Sequence, residues 1–358
     1  MLTMSGFRGN LPQRKEADAD ALRRGERLPL TGSWFDNPSA DRFRSDSLMM
    51  ASQSLGRPLV EGLPFAPSGV LAVKFSVDEF RHWKNRSVTL LGMSGVGKTY
   101  LSALLRRNDW FHYSGDYRIG TRYLDEPILD LIKSKAMEVA FLRDLLRRDW
   151  IAIQNKIRVD DLGPVMSFVG QLGDPQANGL SLPEFTRRQA MYREAEIQAM
   201  LDVPEFIGKA RRIYGYSHFV NDVGGSLCEL DEPRVTDLLA KHTLILYIRV
   251  PEADEIKLIH RAQSDPKPLY FRPAFLKSAV KDYLAEKGLT YVADIEPNDF
   301  TRWVFPRLFH SRVPRYEAIA RPLGYTIEST EVAAVRDEQD FLTLVEAAIA
   351  RKAEPPVD

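Results

Sequence analysis

One short segment constrains the fold of this chain more than any other. It reads Gly92, Met93, Ser94, Gly95, Val96, Gly97, Lys98 and Thr99, and it fits the pattern G-x-x-x-x-G-K-[ST]. An apolar run that predicts a buried strand precedes it at 87–91, and a helical pattern follows it at 100–107. The glycines let the backbone N–H groups of such a turn point inward, toward the positive end of the following helix. The segment therefore predicts a site for the phosphates of a nucleotide.

Two side chains of this loop have predicted roles. Lys98 adds a positive charge for the β and γ phosphates of ATP, and the hydroxyl of Thr99 is placed to bind Mg²⁺. We expect Lys98 to be an exposed loop residue that contributes little to folding stability. ATP and Mg²⁺ are the predicted cofactors.

From residue 69 onward, short β-branched or aromatic runs alternate with helical stretches, a pattern typical of a parallel sheet with crossover helices. The candidate strands are 87–91, 110–113, 217–220, 243–250 and 324–328. The run at 244–248 is apolar on both faces, as a strand between two helical layers must be. We predict an α/β fold of three layers, the P-loop NTPase fold, with a parallel sheet of about five strands and an inserted helical subdomain.

Two segments exceed what such a fold needs. Residues 1–68 are rich in Arg, Asp, Ser, Gly and Pro, which predicts a flexible or surface-draped extension, with a folded accessory module as the alternative. About a hundred residues separate the second and third strands, and their helical patterns at 128–148 and 183–201 predict an inserted subdomain at about 125–214. The P-loop domain is predicted to span 69–352, followed by a tail at 353–358.

Composition argues against several classes of protein. Lysine plus arginine total 49 and aspartate plus glutamate total 49, so no global charge favours nucleic acid or an anionic membrane. No stretch approaches the roughly 18 apolar residues that span a bilayer, and the first thirty residues contain no apolar signal region. Cys228 is the only cysteine, which excludes an internal disulfide and predicts a small core residue. We expect a cytoplasmic protein that binds neither nucleic acid nor membrane.

Two segments outside the loop carry acidic and basic residues at recognisable spacings. Residues 114–119 read Ser-Gly-Asp-Tyr-Arg-Ile, close to the pattern D-x-D-x-x-I, with Ser114 at the first acidic position and Asp116 at the second. Residues 312–320 fit R-x-P-x-Y-x-x-x-A, beginning with Arg312. With the loop, and in this order, they resemble the small-molecule P-loop kinases of the shikimate and gluconate kinase type. The resemblance runs from about 88 to 349, without a counterpart for the insertion, and implies ATP-dependent phosphoryl transfer.

Other classes of P-loop protein fit the sequence less well. A GTPase needs a guanine-reading N-K-x-D-type segment, and none follows the strand at 243–250. An AAA-type ATPase usually has an apolar strand that ends in Asp-Glu, whereas the third strand leads into Asn-Asp-Val-Gly-Gly at 221–225.

Two carboxylates are candidates for catalysis or metal binding. Asp116 follows the second strand on the side where a substrate hydroxyl approaches an open α/β sheet, so it is placed to accept that proton or to support Mg²⁺. Asp222 follows the third strand and is a further candidate for either role, unless Asn221 and Asp222 only form a turn. The sequence does not apportion the base and metal roles between them. The resemblance implies in addition that Arg312 contacts the nucleotide.

A basic stretch after the fourth strand is similar to the lid of these kinases. Its candidate cations are Arg261, Lys267 and Arg272, each of which is otherwise a surface charge. A lid supplies positive charge to the transferring phosphoryl group when it closes, and Arg261 is the first candidate for that role.

The preferred hypothesis is an ATP-dependent kinase that phosphorylates a hydroxyl of a small molecule, with the inserted helices forming the acceptor pocket. The alternative is a regulatory or assembly NTPase that controls a protein partner through the N-terminal extension or the insertion. The insertion is locally basic, which suits an anionic acceptor or else marks a solvated helix face; its arginines include Arg187, Arg188, Arg193, Arg211 and Arg212.

Overall fold

The computed structural model describes residues 75–353. The predicted extension at 1–68 and residues 354–358 of the predicted tail lie outside the described residues. The predicted domain boundaries therefore stay predictions.

Five parallel strands form one sheet at the centre of the fold. Their order across the sheet is β2-β3-β1-β4-β5, and each neighbouring pair is parallel. All residues of β1 are buried, as expected for a strand covered by helices on both faces. The strands are β1 (Ser87–Leu91), β2 (Trp110–Ser114), β3 (His218–Asp222), β4 (Leu244–Arg249) and β5 (Gly324–Glu328). The predicted α/β fold with five parallel strands is confirmed.

The helices flank this sheet and fill the insertion. They are α1 (Val77–His82), α2 (Lys98–Leu105), α3 (Gly115–Arg118), α4 (Asp125–Glu138), α5 (Ala140–Arg147), α6 (Gly163–Val169), α7 (Leu182–Leu201), α8 (Val203–Arg212), α9 (Pro233–His242), α10 (Glu252–Ser264), α11 (Pro273–Lys287), α12 (Pro297–Leu323), α13 (Ser329–Ala333) and α14 (Glu338–Ala353).

Two details of the insertion differ from the sequence prediction. The single helix predicted at 128–148 is two helices, because Val139 between them has extended backbone with φ −90° and ψ 115°. Ser181, a residue type that often caps helices, directly precedes α7, but its side chain makes no capping hydrogen bond in the described structure. Pro183 in the first turn remains compatible with that helix start.

A hydrogen bond joins α7 of the insertion to β2 of the sheet. Tyr113 of β2 donates its hydroxyl hydrogen to the carbonyl of Ala199, at 2.6 Å. The buried face of α7 includes Phe185, Tyr192, Glu196 and Met200, whose spacing of three to four residues or its multiples places them on one side of a helix. Three polar side chains, Arg188, Gln189 and Glu196, are buried on this helix among its apolar residues, and Glu196 is the most deeply buried of them.

Two apolar clusters form the core. The larger surrounds the sheet and contains Cys228, so the predicted core position of that cysteine is confirmed. The smaller gathers residues of α11 and α12, with Phe300, Val304 and Leu308 among its buried members. Within residues 75–353 no helix has the length and apolar character needed to cross a membrane.

Candidate functional site

The phosphate-loop candidate follows β1, the central strand, whose neighbours are β3 and β4. Ligands of open α/β sheets bind beyond the carboxyl ends of such strands, where the strand order reverses. Gly97 has a φ of +109° in this loop, and a β-carbon there would lie 2.7 Å from a side-chain carbon of Val332. The loop conformation therefore requires glycine at this position.

Lys98 begins α2 and lies inside the loop. Its ammonium donates to the carbonyls of Gly92 and Met93, at 2.8 Å and 2.9 Å, and the residue is 6% exposed. Burial lowers the pKa of Lys98, while the charges of Asp222 and Asp116 act to raise it. The expectation of an exposed lysine is wrong, because the loop closes around this side chain; the effect of Lys98 on folding stability stays a prediction.

Thr99 and Asp222 meet at the end of the sheet. The Thr99 hydroxyl donates to Oδ2 of Asp222, at 3.0 Å. Asn221 and Asp222 both belong to β3, so the alternative of a simple turn at these two residues is wrong. The strand register places Ser114, the last residue of β2, directly beside Asp222.

This pair of oxygen ligands suits Mg²⁺. Magnesium bound with a nucleotide usually takes one or two protein ligands and completes its shell with phosphate oxygens and water. The described residues contain no group of three histidine, cysteine, aspartate or glutamate side chains able to hold a metal. Thr99 and Asp222 could hold such an ion together with phosphate oxygens and water.

Asp116 lies in α3, immediately after β2, and lines the same cavity as Asp222. Tyr192 of α7 donates its hydroxyl hydrogen to Oδ1 of Asp116, at 3.3 Å. Burial raises the pKa of Asp116 to about 6, with a further contribution from the charge of Asp222, and Lys98 opposes both. Asp116 is thus a carboxylate whose protonation changes close to neutral pH.

Within residues 75–353, two of the described cavities lie beside the loop. One, of about 530 Å³, is lined by Lys98, Asp116 and Asp222, together with His112 of β2 and Asp160 of the insertion. The other, of about 540 Å³, lies toward β4 and α10, and several of its lining side chains are apolar; among them are Val96, Val250, Leu258 and Val332. The loop thus separates an acidic space from a largely apolar one.

The structure brings one of the three predicted lid cations to the loop. Arg261 of α10 donates from Nη2 to the carbonyl of Gly95, at 2.8 Å. Lys267 is exposed and lies 3.4 Å from Asp265. Arg272 donates to the buried carboxylate of Glu229, at 2.7 Å, so it stabilises the core.

Arg312 of α12 is buried near the site without lining it. Its terminal nitrogens donate to the carbonyls of Gly225 and Tyr270, at 2.9 Å and 2.7 Å. Its Nε lies 3.6 Å from a carboxylate oxygen of Glu229. Arg312 is absent from the lining of both described cavities beside the loop, so its implied contact with the nucleotide stays a prediction.

Sequence reasoning missed four polar residues of this region: His112, Asp160, Tyr192 and Glu196. Glu196 accepts a hydrogen bond from the Ser226 hydroxyl, at 2.6 Å, and burial raises its pKa to about 8. Its spacing from Tyr192 and Met200 along the buried face of α7 was a usable signal. His112 and Asp160 offered none, because neither residue belongs to a recognisable motif.

Comparisons with known proteins add little to this description. No protein-family model matches the chain, and no curated protein matches its sequence. The crystal structure of a shikimate kinase from Bacteroides thetaiotaomicron is similar over 74% of this chain and 95% of that chain, at 14% identity and a TM-score of 0.34. The fold assignment rests instead on the parallel sheet, its strand order and the glycine loop after β1.

Proposed function

We propose that the chain is an ATP-binding, Mg²⁺-dependent phosphotransferase that moves the γ-phosphate of ATP to a hydroxyl group of a small molecule. The observation that carries this proposal is the geometry around Asp222. Thr99 of the loop donates to Asp222, and Asp116 lines the same cavity with a pKa near 6. A phosphate loop, a metal-ligand pair and a carboxylate base within one cavity are the groups that phosphoryl transfer needs.

Each residue has a distinct part in this proposal. The loop N–H groups and Lys98 bind the phosphates, and Thr99 and Asp222 hold Mg²⁺, which when bound neutralises phosphate charge. Asp116 accepts the proton of the acceptor hydroxyl, since a carboxyl with a pKa near 6 is largely ionised at pH 7 and still basic enough to take a proton. Arg261 leaves the Gly95 carbonyl and neutralises charge on the transferring group.

The two cavities match the two substrates. The apolar cavity between the loop, α10 and α13 is suited to the base of the nucleotide, because flat aromatic rings bind between apolar side chains. The acidic cavity on the other side contains Asp116, and there the acceptor meets the γ-phosphate. Asp160 from the insertion lines this second cavity, so the insertion contributes to the acceptor pocket in this proposal.

A screen with purified protein tests the proposal. The protein is incubated with ATP, Mg²⁺ and pooled hydroxyl compounds, and new phosphorylated products are identified by mass spectrometry. We expect a product from at least one pool, and none with the Lys98→Ala variant. Absence of product from every pool, with ATP binding intact, would contradict the kinase assignment.

A second candidate function is a nucleotide-dependent switch that acts on a protein partner. Exposed apolar side chains on the insertion favour it: Phe141 and Trp150 are 70% and 66% exposed, and α5 has no buried residue. Kinetics separate the two candidates, because a kinase hydrolyses ATP slowly until its acceptor is supplied. An ATPase rate that no metabolite pool changes and that falls in a Phe141→Ser variant would favour the switch.

A further inference from the structure

His112 is a buried histidine of the site that the proposed reaction does not use. It lies on β2, two residues before Ser114, which ends the strand. Its side chain is 4% exposed and lines the cavity that Asp116 and Asp222 also line. A polar side chain in this position needs a physical reason, because its burial costs free energy unless it is hydrogen-bonded.

The Nε2 atom of His112 has no hydrogen-bond partner within residues 75–353. It lies 3.8 Å from Oδ2 of Asp222, and a movement of about 1 Å would bring the two atoms within hydrogen-bond distance. Buried polar atoms are almost always hydrogen-bonded, and the hydrogen bonds of an active site are often long until its ligands bind. A partner for Nε2 is therefore within reach at Asp222.

The two carboxylate oxygens of Asp222 have different surroundings. Oδ2 accepts the hydrogen of the Thr99 hydroxyl, at 3.0 Å, and it is the oxygen near Nε2 of His112. Among the described side chains none donates to Oδ1. An ionised carboxylate has about four lone-pair sites, so Oδ2 can accept from both donors while Oδ1 stays available to an ion or its water.

The strand pairing holds His112 close to Asp222. β2 and β3 are parallel neighbours, with His112 beside Val220 and Ser114 beside Asp222. Residues two apart on a strand lie on the same face of the sheet, so His112 and Asp222 share a face. Both side chains project from strands rather than loops, which is the arrangement that fixes the geometry of a site best.

A direct metal ligand is the other role that a histidine could have at this place. Mg²⁺ takes oxygen ligands, whereas imidazole suits softer metals such as Zn²⁺. The part of the chain that the structure describes also contains no group of three histidine, cysteine, aspartate or glutamate side chains able to hold a metal. A hydrogen bond from His112 to Asp222 fits these observations better than a bond to the ion.

We propose that His112 is a positioning residue for the metal, whose Nε2–H donates to Oδ2 of Asp222 when the nucleotide and Mg²⁺ are bound and so fixes the orientation of that carboxylate. This inference rests on the proposed function, in which Thr99 and Asp222 hold Mg²⁺. Partners of this kind orient the ligands of metal sites, and their loss typically lowers metal affinity roughly ten- to a hundredfold.

The first experiment measures metal binding without turnover. Mn²⁺, which also suits oxygen ligands, is titrated into the protein with a non-hydrolysable ATP analogue, and the EPR signal of free Mn²⁺ reports its binding. We expect His112→Phe, which keeps a ring and loses the donor, to raise the Kd for Mn²⁺ roughly tenfold. His112→Gln keeps an N–H donor and should stay within about threefold of the wild type. The Kd for the analogue without metal should be nearly unchanged in both variants.

His218→Phe is the matched control. His218 is half-buried at the other end of β3, where its Nδ1 accepts a hydrogen bond from the backbone N–H of Arg86 at 3.1 Å, and its loss should leave the Kd for Mn²⁺ unchanged. Equal rises in His218→Phe and His112→Phe, or no rise in His112→Phe, would overturn this inference alone. If the wild type binds Mn²⁺ no better with the analogue than without it, the proposed function fails as well.

A second measurement needs only a folded wild type. Long-range ¹H–¹⁵N NMR spectra of protein labelled with ¹⁵N-histidine show which ring nitrogen carries a hydrogen, a distinction that the proposed role depends on. The chain has six histidines, and the signal of His112 is the one that is lost in His112→Gln. With the ATP analogue and Mg²⁺ bound, we expect a hydrogen on Nε2. An Nε2 without hydrogen, as in a histidine that binds the ion itself, would refute the positioning role.

Discussion

The dependence of folding stability on pH should change in one specific way when Glu196 becomes glutamine. Glu196 is fully buried on α7, and its folded-state pKa is raised from 4.5 to about 8, first by burial. Between these two values the native chain holds a proton that the unfolded chain has released. The free energy of unfolding therefore falls as pH rises through this window. The stabilising effect of the retained proton is complete below about pH 4.5 and lost above about pH 8.

The size of the effect follows from the shift. One pKa unit corresponds to roughly 1.4 kcal/mol, so the wild-type chain should lose on the order of 5 kcal/mol from this group between pH 4.5 and pH 8. Glutamine resembles the protonated acid in shape and does not ionise. The Glu196→Gln variant should therefore match the wild type near pH 5 and exceed its stability at pH 9.

Thermal unfolding at pH 5, 7 and 9 measures this difference. In a chain of this size each kcal/mol shifts Tm by roughly 1–2 °C, so the gap in Tm between variant and wild type should widen by roughly 5–10 °C from pH 5 to pH 9. Glu194→Gln serves as the control, because Glu194 is exposed on the same helix. A gap that stays constant across the three pH values would refute the argument that Glu196 retains its proton in the folded chain.

Three further predictions concern the loop, the base and the N-terminal extension. Lys98→Ala should lower ATP turnover by orders of magnitude, and unchanged turnover would exclude the loop as the active site. Because the Lys98 ammonium donates to two loop carbonyls, the variant should also lower the free energy of unfolding by about 1–2 kcal/mol. Turnover assays measure the first effect, and urea unfolding measures the second. Asp116→Asn should lower the rate of phosphoryl transfer roughly a hundredfold or more at pH 7, with little change in ATP affinity. In the wild type, the rate of transfer should rise with pH through about 6, where Asp116 ionises. If added Mg²⁺ restores the variant, Asp116 supports the metal instead; if transfer is normal at every Mg²⁺ concentration, Asp222 becomes the leading candidate. Deleting residues 1 to about 60 should leave nucleotide binding intact by calorimetry, because their composition cannot bury enough apolar surface to form part of the catalytic core. An insoluble product, or one that does not bind nucleotide, would contradict this.

Local sequence signals were sufficient for the sheet and the loop. The strands at 87–91 and 324–328 were predicted with the bounds of β1 and β5, because buried parallel strands are short apolar runs bounded by turn residues. The loop was found because its glycines and Lys98 are consecutive in the chain. The predicted roles of Asp116, Asp222 and Arg261, the cytoplasmic location, and the absence of nucleic-acid and membrane partners stay predictions.

The rest of the site depends on contacts between distant parts of the chain. Glu196 and Ser226 are thirty residues apart, and neither local sequence predicts their hydrogen bond. Lys98 was expected to be exposed because loops usually lie at the surface, yet the loop closes around its side chain. Arg312 fits a motif, but its guanidinium donates to the carbonyls of Gly225 and Tyr270, which are 87 and 42 residues away in the chain.

The pairing of β2 with β3 has a consequence for tracing the ancestry of this chain. Ser114 of β2 and Asp222 of β3 are direct neighbours across the strands. A carboxylate at either position would thus lie at the same end of the sheet, on neighbouring strands about 4.8 Å apart. Searches for distant homologues that score each column separately would not relate an acid at 114 in one chain to an acid at 222 in another. A search that accepts an acid at either position should recover relatives that share this arrangement.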